Sequence, residues 1–309
     1  MPRFLACSGG GDRGVIQLGM LLEIYRRCGK ESVSWDEMAG ISVGGFMCAF
    51  LSQLTPETFE KEIQRLIFCF MNDSMSVIQP WVWGGSVINL IDAVLYHSSM
   101  YSNEKLKKMI HDWYDPKKTL VPFRVGAYNK TLAQYESFSS SCHDMYTALL
   151  ASSAIPVLFP EIKIGEYMYQ DGGMRHMIPV LEIKDWVERT KGPKFVDILV
   201  CFPIHDVHMF TRMTVPTLRF SVVNEATQMV SDLMLEQLQN DLFELSKMVG
   251  VPVSHLTRDS SCQVTKGDLT VRILSPDRGE YHSLSQMSAE HNRQLFSQGK
   301  SIVDRFLKF

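Results

Sequence analysis

Short apolar runs alternate along the chain with stretches in which apolar residues recur every three or four positions. Residues 3–7 predict a short buried strand, which runs into a glycine-rich loop. Residues 15–27 predict a buried helix, because apolar residues occupy almost every side of it. A second strand is expected within residues 33–41, followed by a tight turn and a helix over 46–54. This order predicts an α/β fold with a mostly parallel sheet.

The rest of the chain adds elements of both kinds. Steps of three and four between apolar residues predict a long helix over residues 224–249. The continuous apolar run 195–202 is typical of a strand buried in a parallel sheet. The other predicted elements are a hairpin (123–129 and 133–138), helices over 59–70, 143–153 and 283–307, and strands over 167–170 and 269–274.

Composition and charge narrow the class of protein. The chain has 309 residues, of which 45% are hydrophobic and 21% charged, with a net charge of −3. A near-neutral chain lacks the positive field that nonspecific nucleic-acid binding needs, so we expect no nucleic-acid partner. No apolar run reaches the roughly 18 residues of a membrane span, and the apolar start of the chain is too short for a signal peptide.

The seven cysteines are widely spaced, odd in number and contain no C-x-x-C pair. This pattern favours buried reduced thiols over disulfides or metal ligands. His205 and His208 flank an Asp-Val pair in a loop, but a metal there would lack a third ligand nearby. We therefore expect a cytoplasmic protein without a metal site.

Residues Gly40-Ile41-Ser42-Val43-Gly44 fit the nucleophile elbow G-x-S-x-G. Small neighbours allow a sharp turn between strand and helix, which exposes the serine hydroxyl at the carboxyl end of the strand. The helix N-terminus beside it favours a developing anion. The motif alone is weak, and an ordinary structural turn remains an alternative. Its position between a predicted strand and a predicted helix favours the functional interpretation.

Residues 9–14 read Gly-Gly-Gly-Asp-Arg-Gly and allow two functional interpretations. Consecutive glycine N–H groups at a helix start can bind an anion, such as the oxyanion formed during acyl transfer. The same letters satisfy the dinucleotide fingerprint G-x-G-x-x-G through Gly9, Gly11 and Gly14. A dinucleotide fold needs its acidic residue at the end of the second strand, whereas the acidic pair 36–37 precedes it. The oxyanion loop is therefore favoured.

A serine nucleophile needs a base, and Asp171-Gly172-Gly173 is the best candidate. The carboxylate follows a strand-like segment, and two small residues leave room for a hydroxyl to approach. A plain Asp-Gly surface turn remains an alternative. None of the nine histidines has a context that marks it, although His205 would fit the chain order serine, acid, histidine.

Taken together, the three motifs resemble those of the patatin-like phospholipases, lipid acyl hydrolases with a Ser–Asp dyad. The family pattern runs G-G-G-x-R-G, G-x-S-x-G and D-G-G/A, and this chain carries the three motifs in that order. Residues 15–21 and 151–156 also resemble the family's flanking segments, so the resemblance covers about residues 4–180. The chain departs from the pattern at Met177-Ile178, where family members often carry Asn-Asn before a proline.

The resemblance implies a role for individual residues of this chain. Ser42 would be the nucleophile and Asp171 its general base. The backbone N–H groups of Gly10 and Gly11 would bind the oxyanion. Arg13 would lie beside a substrate phosphate or beside the oxyanion loop, with a headgroup contact and a structural salt bridge both open. The remaining motif residues are Gly9, Gly14, Gly40, Gly44, Gly172 and Gly173.

The resemblance also implies a fold and an activity. The fold would be a three-layer α/β sandwich around a mostly parallel central sheet. One domain would span residues 1–309, with the motifs in a core of about 4–180 and further strands and helices over about 195–309. The activity would be phospholipase A-type cleavage of phospholipid acyl esters through an acyl-serine intermediate, without a cofactor.

Substrate access and partners follow as expectations. A phospholipid or another acyl lipid must be reached at a membrane surface, and contact would be transient because no basic cluster stands out. Trp81, Trp83 and residues 87–96 could line an acyl channel or an interfacial patch, with core packing as the alternative. Several patatin-like enzymes depend on an activator, such as ubiquitin or a cyclic nucleotide, and the helix over 224–249 could dock one.

Two functions from other classes stay open at this point. The first is a dinucleotide-binding oxidoreductase that uses Gly9, Gly11 and Gly14. The second is a catalytically silent binding module with a patatin-like shape. A nucleotide-induced thermal shift would favour the first, and an intact fold without esterase activity would favour the second.

Overall fold

The computed structural model describes residues 1–72, 99–204, 221–277 and 289–307. Within these residues, nine strands form one sheet with helices packed against it. The strands are β1 (Arg3–Cys7), β2 (Glu37–Ile41), β3 (Phe123–Asn129), β4 (Gln134–Ser139), β5 (Ile162–Ile164), β6 (Tyr167–Asp171), β7 (Lys194–Leu199), β8 (Ser261–Lys266) and β9 (Leu269–Leu274).

The strand order is β5-β6-β3-β2-β1-β7-β9-β8, and β4 pairs with β3 outside this path. The five central strands, from β3 to β9, run parallel to one another. Antiparallel strands flank them at both edges. The prediction of an α/β fold with a mostly parallel sheet is therefore confirmed. Strands β7 and β9 join the same sheet as β1 and β2.

Nine α-helices connect or cover these strands in the described parts of the chain. They are α1 (Gly14–Cys28), α2 (Val43–Leu51), α3 (Phe59–Met71), α4 (Glu104–Trp113), α5 (Met145–Ser152), α6 (Val180–Arg189), α7 (Ser221–Val249), α8 (Val253–Leu256) and α9 (Ala289–Phe306).

The helices lie on both faces of the sheet, because successive side chains of a strand point to opposite sides. Leu5 and Cys7 of β1 belong to a hydrophobic cluster with α1, α2, α5 and α9. Phe4 and Ala6 of the same strand belong to a second cluster with α6 and α7. The sheet and its two helical layers form the three-layer sandwich that the sequence predicts.

Several predicted boundaries differ from the observed ones for local reasons. Helix α2 begins at Val43 rather than at residue 46, because Ser42 is already its N-cap residue. Strand β7 ends at Leu199, three residues before the end of the apolar run. The run continues as a buried loop, in which the Cys201 N–H donates to Ser8 Oγ at 2.9 Å. Five short or largely polar elements were not predicted, namely β5, α4, α6, α8 and β8.

Some residues named from the sequence lie outside the described parts of the chain. They are Trp81, Trp83, residues 87–96, and the loop histidines His205 and His208. The interfacial patch therefore stays a prediction. In the described residues, no helix is both long and apolar enough to cross a membrane.

Glycines bring α1 and α9 into close backbone contact. A Cβ atom on Gly299 would lie 2.1 Å from the carbonyl oxygen of Ile16. A Cβ atom on Gly19 would lie 2.4 Å from the carbonyl oxygen of Phe296. Real Cβ atoms do not approach backbone so closely, so only glycine permits this crossing.

We expect Gly299→Ala to lower the free energy of unfolding by at least about 2 kcal/mol, because the added methyl group must push the two helices apart. Helix propensity alone would favour alanine over glycine by about 1 kcal/mol. A decrease in the free energy of unfolding would therefore show that the steric clash outweighs helix propensity. Urea unfolding measures it, with the exposed Ser301→Ala on the same helix as control. Equal unfolding midpoints for the two variants would contradict the close crossing.

Candidate active site

Ser42 occupies a strained turn between β2 and α2. Its φ of 54° and ψ of −125° lie in a region that costs a non-glycine residue about 1–3 kcal/mol. Serine often caps a helix with its side chain, but here the hydroxyl makes no cap bond. The turn needs glycine on both sides, because a Cβ atom on Gly40 would lie 2.1 Å from the carbonyl oxygen of Gly44. The Ser42 hydroxyl therefore lies at the N-terminus of α2 and does not serve as a cap for that helix.

Asp171 ends β6 and is completely buried. Burial raises the pKa of its carboxyl to about 7, whereas hydrogen bonding from the Gly173 N–H and the Ser42 hydroxyl acts in the opposite direction. The Gly173 N–H donates to Oδ1 at 2.7 Å. A carboxyl group with a pKa near 7 can accept and return a proton near neutral pH. Such displaced values are common among catalytic groups.

The sheet brings Ser42 and Asp171 together from distant parts of the sequence. Ile41 of β2 is paired with Gly126 of β3, and Ala127 beside it is paired with Asp171 of β6. The two residues meet across β3, and the Ser42 hydroxyl lowers the pKa of the Asp171 carboxyl. Oδ2 is buried without a full hydrogen bond to any described residue. Oδ2 is therefore free to accept a further hydrogen bond or a proton.

The last residue of α5 and the segment that follows it hold the backbone of both residues. The Ser42 N–H donates to Ser152 Oγ at 2.9 Å, and Ser152 Oγ donates to the carbonyl oxygen of Gly126 at 2.7 Å. The carbonyl oxygen of Ala154 accepts a hydrogen bond from the Asp171 N–H at 2.9 Å. In the sequence, this segment stands out only as a flank of the family pattern. Its small polar residues gave no sign that Ser152 holds the turn at Ser42.

The glycine loop after β1 presents free backbone donors beside this pair. The N–H groups of Gly10 and Gly11 have no acceptor among the described residues. The Gly9 N–H is already used, because it donates to the carbonyl oxygen of Met177 at 3.0 Å. A Cβ atom on Gly10 would lie 2.4 Å from Cys201 Cβ, so this position has room for glycine only. Two adjacent unpaired N–H groups can bind a developing oxyanion.

The glycine loop and the turn at Ser42 pack directly on one another. A Cβ atom on Gly44 would lie 2.2 Å from the carbonyl oxygen of Cys7, at the end of β1. A Cβ atom on Gly14 would lie 2.4 Å from a methyl group of Val43, the residue after the serine. Gly172 is equally tight, because its Cβ would lie 2.3 Å from the carbonyl oxygen of Gly126. These glycines let the three motifs approach at one edge of the sheet.

The two charged residues of the loop are buried within the protein. Arg13 is 5% exposed, and its guanidinium lies 4.8 Å from the centre of the Phe202 ring. Asp12 Oδ2 lies 3.6 Å from His291 Nε2 on α9. Arg13 is therefore buried against Phe202 and not spread over the protein surface.

The acidic pair of the dinucleotide alternative lies at the wrong end of β2. Glu37 is the first residue of that strand and forms ion pairs with Arg124 and Arg189. The Asp36 carboxylate accepts a hydrogen bond from the Arg3 N–H at 2.7 Å. Neither side chain reaches the glycine loop, which lies beyond the opposite ends of β1 and β2. Neither Asp36 nor Glu37 is therefore placed to bind a ribose at the glycine loop.

Of three comparisons with known proteins, the one with family models agrees with the motifs. A family model described as patatin-like phospholipase matches residues 5–183, whereas a search of curated proteins finds no match. VipD from Legionella pneumophila is a similar solved structure (13% identity, TM-score 0.40, covering 98% of this chain and 67% of that chain). Human GIVD cytosolic phospholipase A2 in complex with methyl gamma-linolenyl fluorophosphonate is another (10% identity, TM-score 0.45, 98% and 57%). A third is ExoU in complex with SpcU from Pseudomonas aeruginosa (12% identity, TM-score 0.31, 84% and 57%).

The chain spans little more than half the length of two of these three structures. The family match itself covers more than half of this chain and includes the glycine loop, Ser42 and Asp171. It supports a lipid acyl hydrolase activity in general terms. The chain belongs to the patatin-like phospholipase family.

Proposed function

We propose that this protein is a phospholipase A-type hydrolase that cleaves acyl esters of phospholipids through an acyl-Ser42 intermediate. The observation that carries the proposal is the juxtaposition of a strained serine and a buried carboxyl with a pKa of about 7. The free N–H groups of Gly10 and Gly11 beside them supply the third part of an acyl-transfer site.

In the acylation step, Ser42 Oγ attacks the ester carbonyl carbon while the Asp171 carboxylate takes the hydroxyl proton. The carbonyl oxygen becomes an oxyanion, which accepts hydrogen bonds from the Gly10 and Gly11 N–H groups. Asp171 then protonates the leaving alkoxide of the lysophospholipid as the carbon–oxygen bond breaks. The product is an ester of the fatty acid with Ser42.

In the deacylation step, Asp171 removes a proton from water, and the hydroxide attacks the acyl-Ser42 carbonyl. The second oxyanion uses the same two N–H groups. Collapse returns the proton to Ser42 Oγ and releases the fatty acid. The Asp171 carboxyl can act in both steps because, with a pKa of about 7, its protonated and deprotonated forms have similar free energies near neutral pH.

The lipid substrate implies contact with a membrane surface, and we propose that this contact is transient. A protein or small-molecule activator also belongs to the proposal, in line with the family resemblance. The structure of ExoU with SpcU is an example of a similar protein in complex with a protein partner. Cytoplasmic localisation is part of the same hypothesis.

Lipid mass spectrometry of mixed phospholipid vesicles tests the proposed function directly. We expect the wild-type protein to release free fatty acid and the matching lysophospholipid in equal amounts. The position of the remaining acyl chain identifies which ester is cleaved. A folded protein that releases neither product, with or without a cell extract as a source of activator, would favour a catalytically silent module.

The pH dependence of the reaction provides a separate prediction. Asp171 acts as a base only when deprotonated, so kcat/KM should rise with pH and level off above about 7. Below that value, the rate should fall about tenfold per pH unit, as the deprotonated fraction does. Initial rates on a soluble p-nitrophenyl ester between pH 5 and 9 measure the profile. A rate that stays constant over this range would contradict the assignment of Asp171 as base.

A further inference from the structure

A buried aspartate interrupts the apolar side of α7. Leu238, Leu242 and Leu245 pack into the hydrophobic cluster on one face of the sheet, and Asp241 lies among them with 1% of its surface exposed. An isolated buried carboxylate is strongly unfavourable unless hydrogen bonds or opposite charges compensate it. The contacts of Asp241 therefore indicate what the residue does.

Within the described parts of the chain, the Asp241 carboxylate makes its hydrogen bonds to three consecutive residues that follow the D-G-G motif, 176–178. Oδ2 accepts hydrogen bonds from the backbone N–H groups of Met177 at 2.6 Å and of Ile178 at 2.8 Å. Oδ1 lies 2.7 Å from His176 Nδ1. Burial raises the pKa of Asp241, and its interactions with His176, Met177 and Ile178 oppose that rise. Met177-Ile178 is also where the sequence departs from the family pattern.

The segment that Asp241 holds touches both glycine motifs of the candidate active site. The carbonyl oxygen of Met177 accepts the hydrogen bond from the Gly9 N–H, next to the free N–H groups of Gly10 and Gly11. The Met177 thioether packs against both Gly9 and Gly173. The His176 N–H donates to the carbonyl oxygen of Gly172 at 3.0 Å, beside Asp171.

We propose that Asp241, together with His176, is a positioning pair that holds the 176–178 segment and thereby fixes the glycine loop as an oxyanion site. The inference rests on the proposed function, because it assigns Gly10 and Gly11 to the transition state. Asp241 does not touch the reacting atoms. Its effect passes through the Met177 carbonyl to Gly9 and then to the two free N–H groups.

This role predicts an effect on turnover rather than on substrate binding. An oxyanion forms only in the transition state, so a displaced donor lowers kcat while leaving KM nearly unchanged. Loss of one oxyanion donor costs about 10²- to 10³-fold in kcat. A displaced loop should cost somewhat less, on the order of 10²-fold.

Two substitutions of Asp241 test whether the segment 176–178 is held by the hydrogen bonds of this side chain or by its negative charge. Asp241→Asn keeps an oxygen for the two backbone N–H groups and an amide that can donate to an unprotonated His176 Nδ1. Asp241→Leu keeps a similar volume and removes every acceptor. Steady-state rates on p-nitrophenyl butyrate should show that kcat falls about 10²-fold in Asp241→Leu. We expect the kcat of Asp241→Asn to stay within about tenfold of wild type, with KM within about threefold in both variants.

Asp197 provides the matched control. It is also an aspartate with 1% exposure, but it binds Arg3, Arg272 and the indole N–H of Trp35. Asp197→Asn should lower the melting temperature while leaving kcat unchanged below that temperature. Circular dichroism at the assay temperature establishes that each variant is folded.

Three outcomes would overturn the inference. One is a folded Asp241→Leu variant with wild-type kcat, and another is an Asp241→Asn variant as impaired as Asp241→Leu. If Asp241→Leu does not fold, His176→Phe replaces it, because phenylalanine keeps the ring contact with Tyr135 and removes the bond to Asp241. An unchanged kcat in His176→Phe is the third such outcome. Absence of activity in the wild-type protein would instead refute the proposed function on which the inference rests.

Discussion

Ser42→Ala is expected to reduce ester hydrolysis by on the order of 10⁴-fold or more, which places it near the uncatalysed background. Removing the hydroxyl removes the atom that forms the acyl ester in the proposed mechanism, while the free N–H groups of Gly10 and Gly11 remain. A fluorophosphonate probe should label the wild-type protein at Ser42 and leave the variant unlabelled. Hydrolysis of a p-nitrophenyl ester and peptide mapping of the labelled protein measure the two effects.

Ser32→Ala is the control for this experiment. Ser32 is a buried serine whose hydroxyl donates to the carbonyl oxygens of Gly29 and Ile24, near the end of α1. This variant should keep both labelling and activity. Labelling that persists at full rate in Ser42→Ala would mean that another nucleophile carries the reaction. The Ser42 assignment would then be wrong, although the family membership would stand.

Asp171→Asn should lower kcat by about 10⁴-fold, a loss comparable to that seen when a catalytic aspartate is made neutral in other serine hydrolases. The amide fits the same space and can still accept the Gly173 N–H. It cannot take the Ser42 proton. Fluorophosphonate labelling should slow by a similar factor, since it needs the same activated hydroxyl.

The same substitution should make the protein more stable at alkaline pH. Burial raises the pKa of Asp171 from 3.8 to about 7, so the folded state holds this proton more tightly than the unfolded state. Stability from this group is therefore present below about pH 4 and is lost as pH rises toward 7. The uncharged amide avoids that loss. Thermal unfolding should show a higher melting temperature for Asp171→Asn than for wild type at pH 8, and a much smaller difference at pH 4.

Asp197→Asn is the control for both effects of Asp171→Asn, because it should change stability and turnover in the opposite way. Its carboxylate is paired with two arginines, so neutralising it should reduce stability and leave turnover intact. If Asp171→Asn keeps near-normal turnover, a histidine must be the base, and the dyad hypothesis fails. If Asp171→Asn is inactive and also less stable at pH 8, the carboxyl is not the strained, buried base that its environment indicates.

Sequence patterns were most informative where the chemistry depends on a few adjacent residues. The turn at Ser42 needs Gly40 and Gly44 because backbone atoms occupy the space of a side chain, and that constraint is visible as G-x-S-x-G. The glycine loop is visible for the same reason at Gly10. The central strands were predictable because strands buried on both faces appear as short apolar runs. Edge strands such as β5 and β8 lack that signal.

Contacts between distant segments were not predictable in this way. Nothing near Ser152 indicates that its hydroxyl holds the Ser42 N–H, because the partner is a backbone atom far away in the sequence. Asp241 offered a weak signal, since a carboxylate stands within an apolar helical stripe. The identity of its partners at residues 176–178 depends on how α7 packs against the sheet.

The sequence by itself determined the family, the central strands and their order along the chain, and the candidate nucleophile, base and oxyanion donors. It could do so because a turn that has no room for a side chain requires glycine, and those glycines are visible in the sequence at the turn itself. Only the tertiary structure decided that Ser42 and Asp171 meet across β3, and that burial brings the carboxyl to a pKa of about 7. Proximity and desolvation are properties of the packed molecule, since each depends on every segment that surrounds the site.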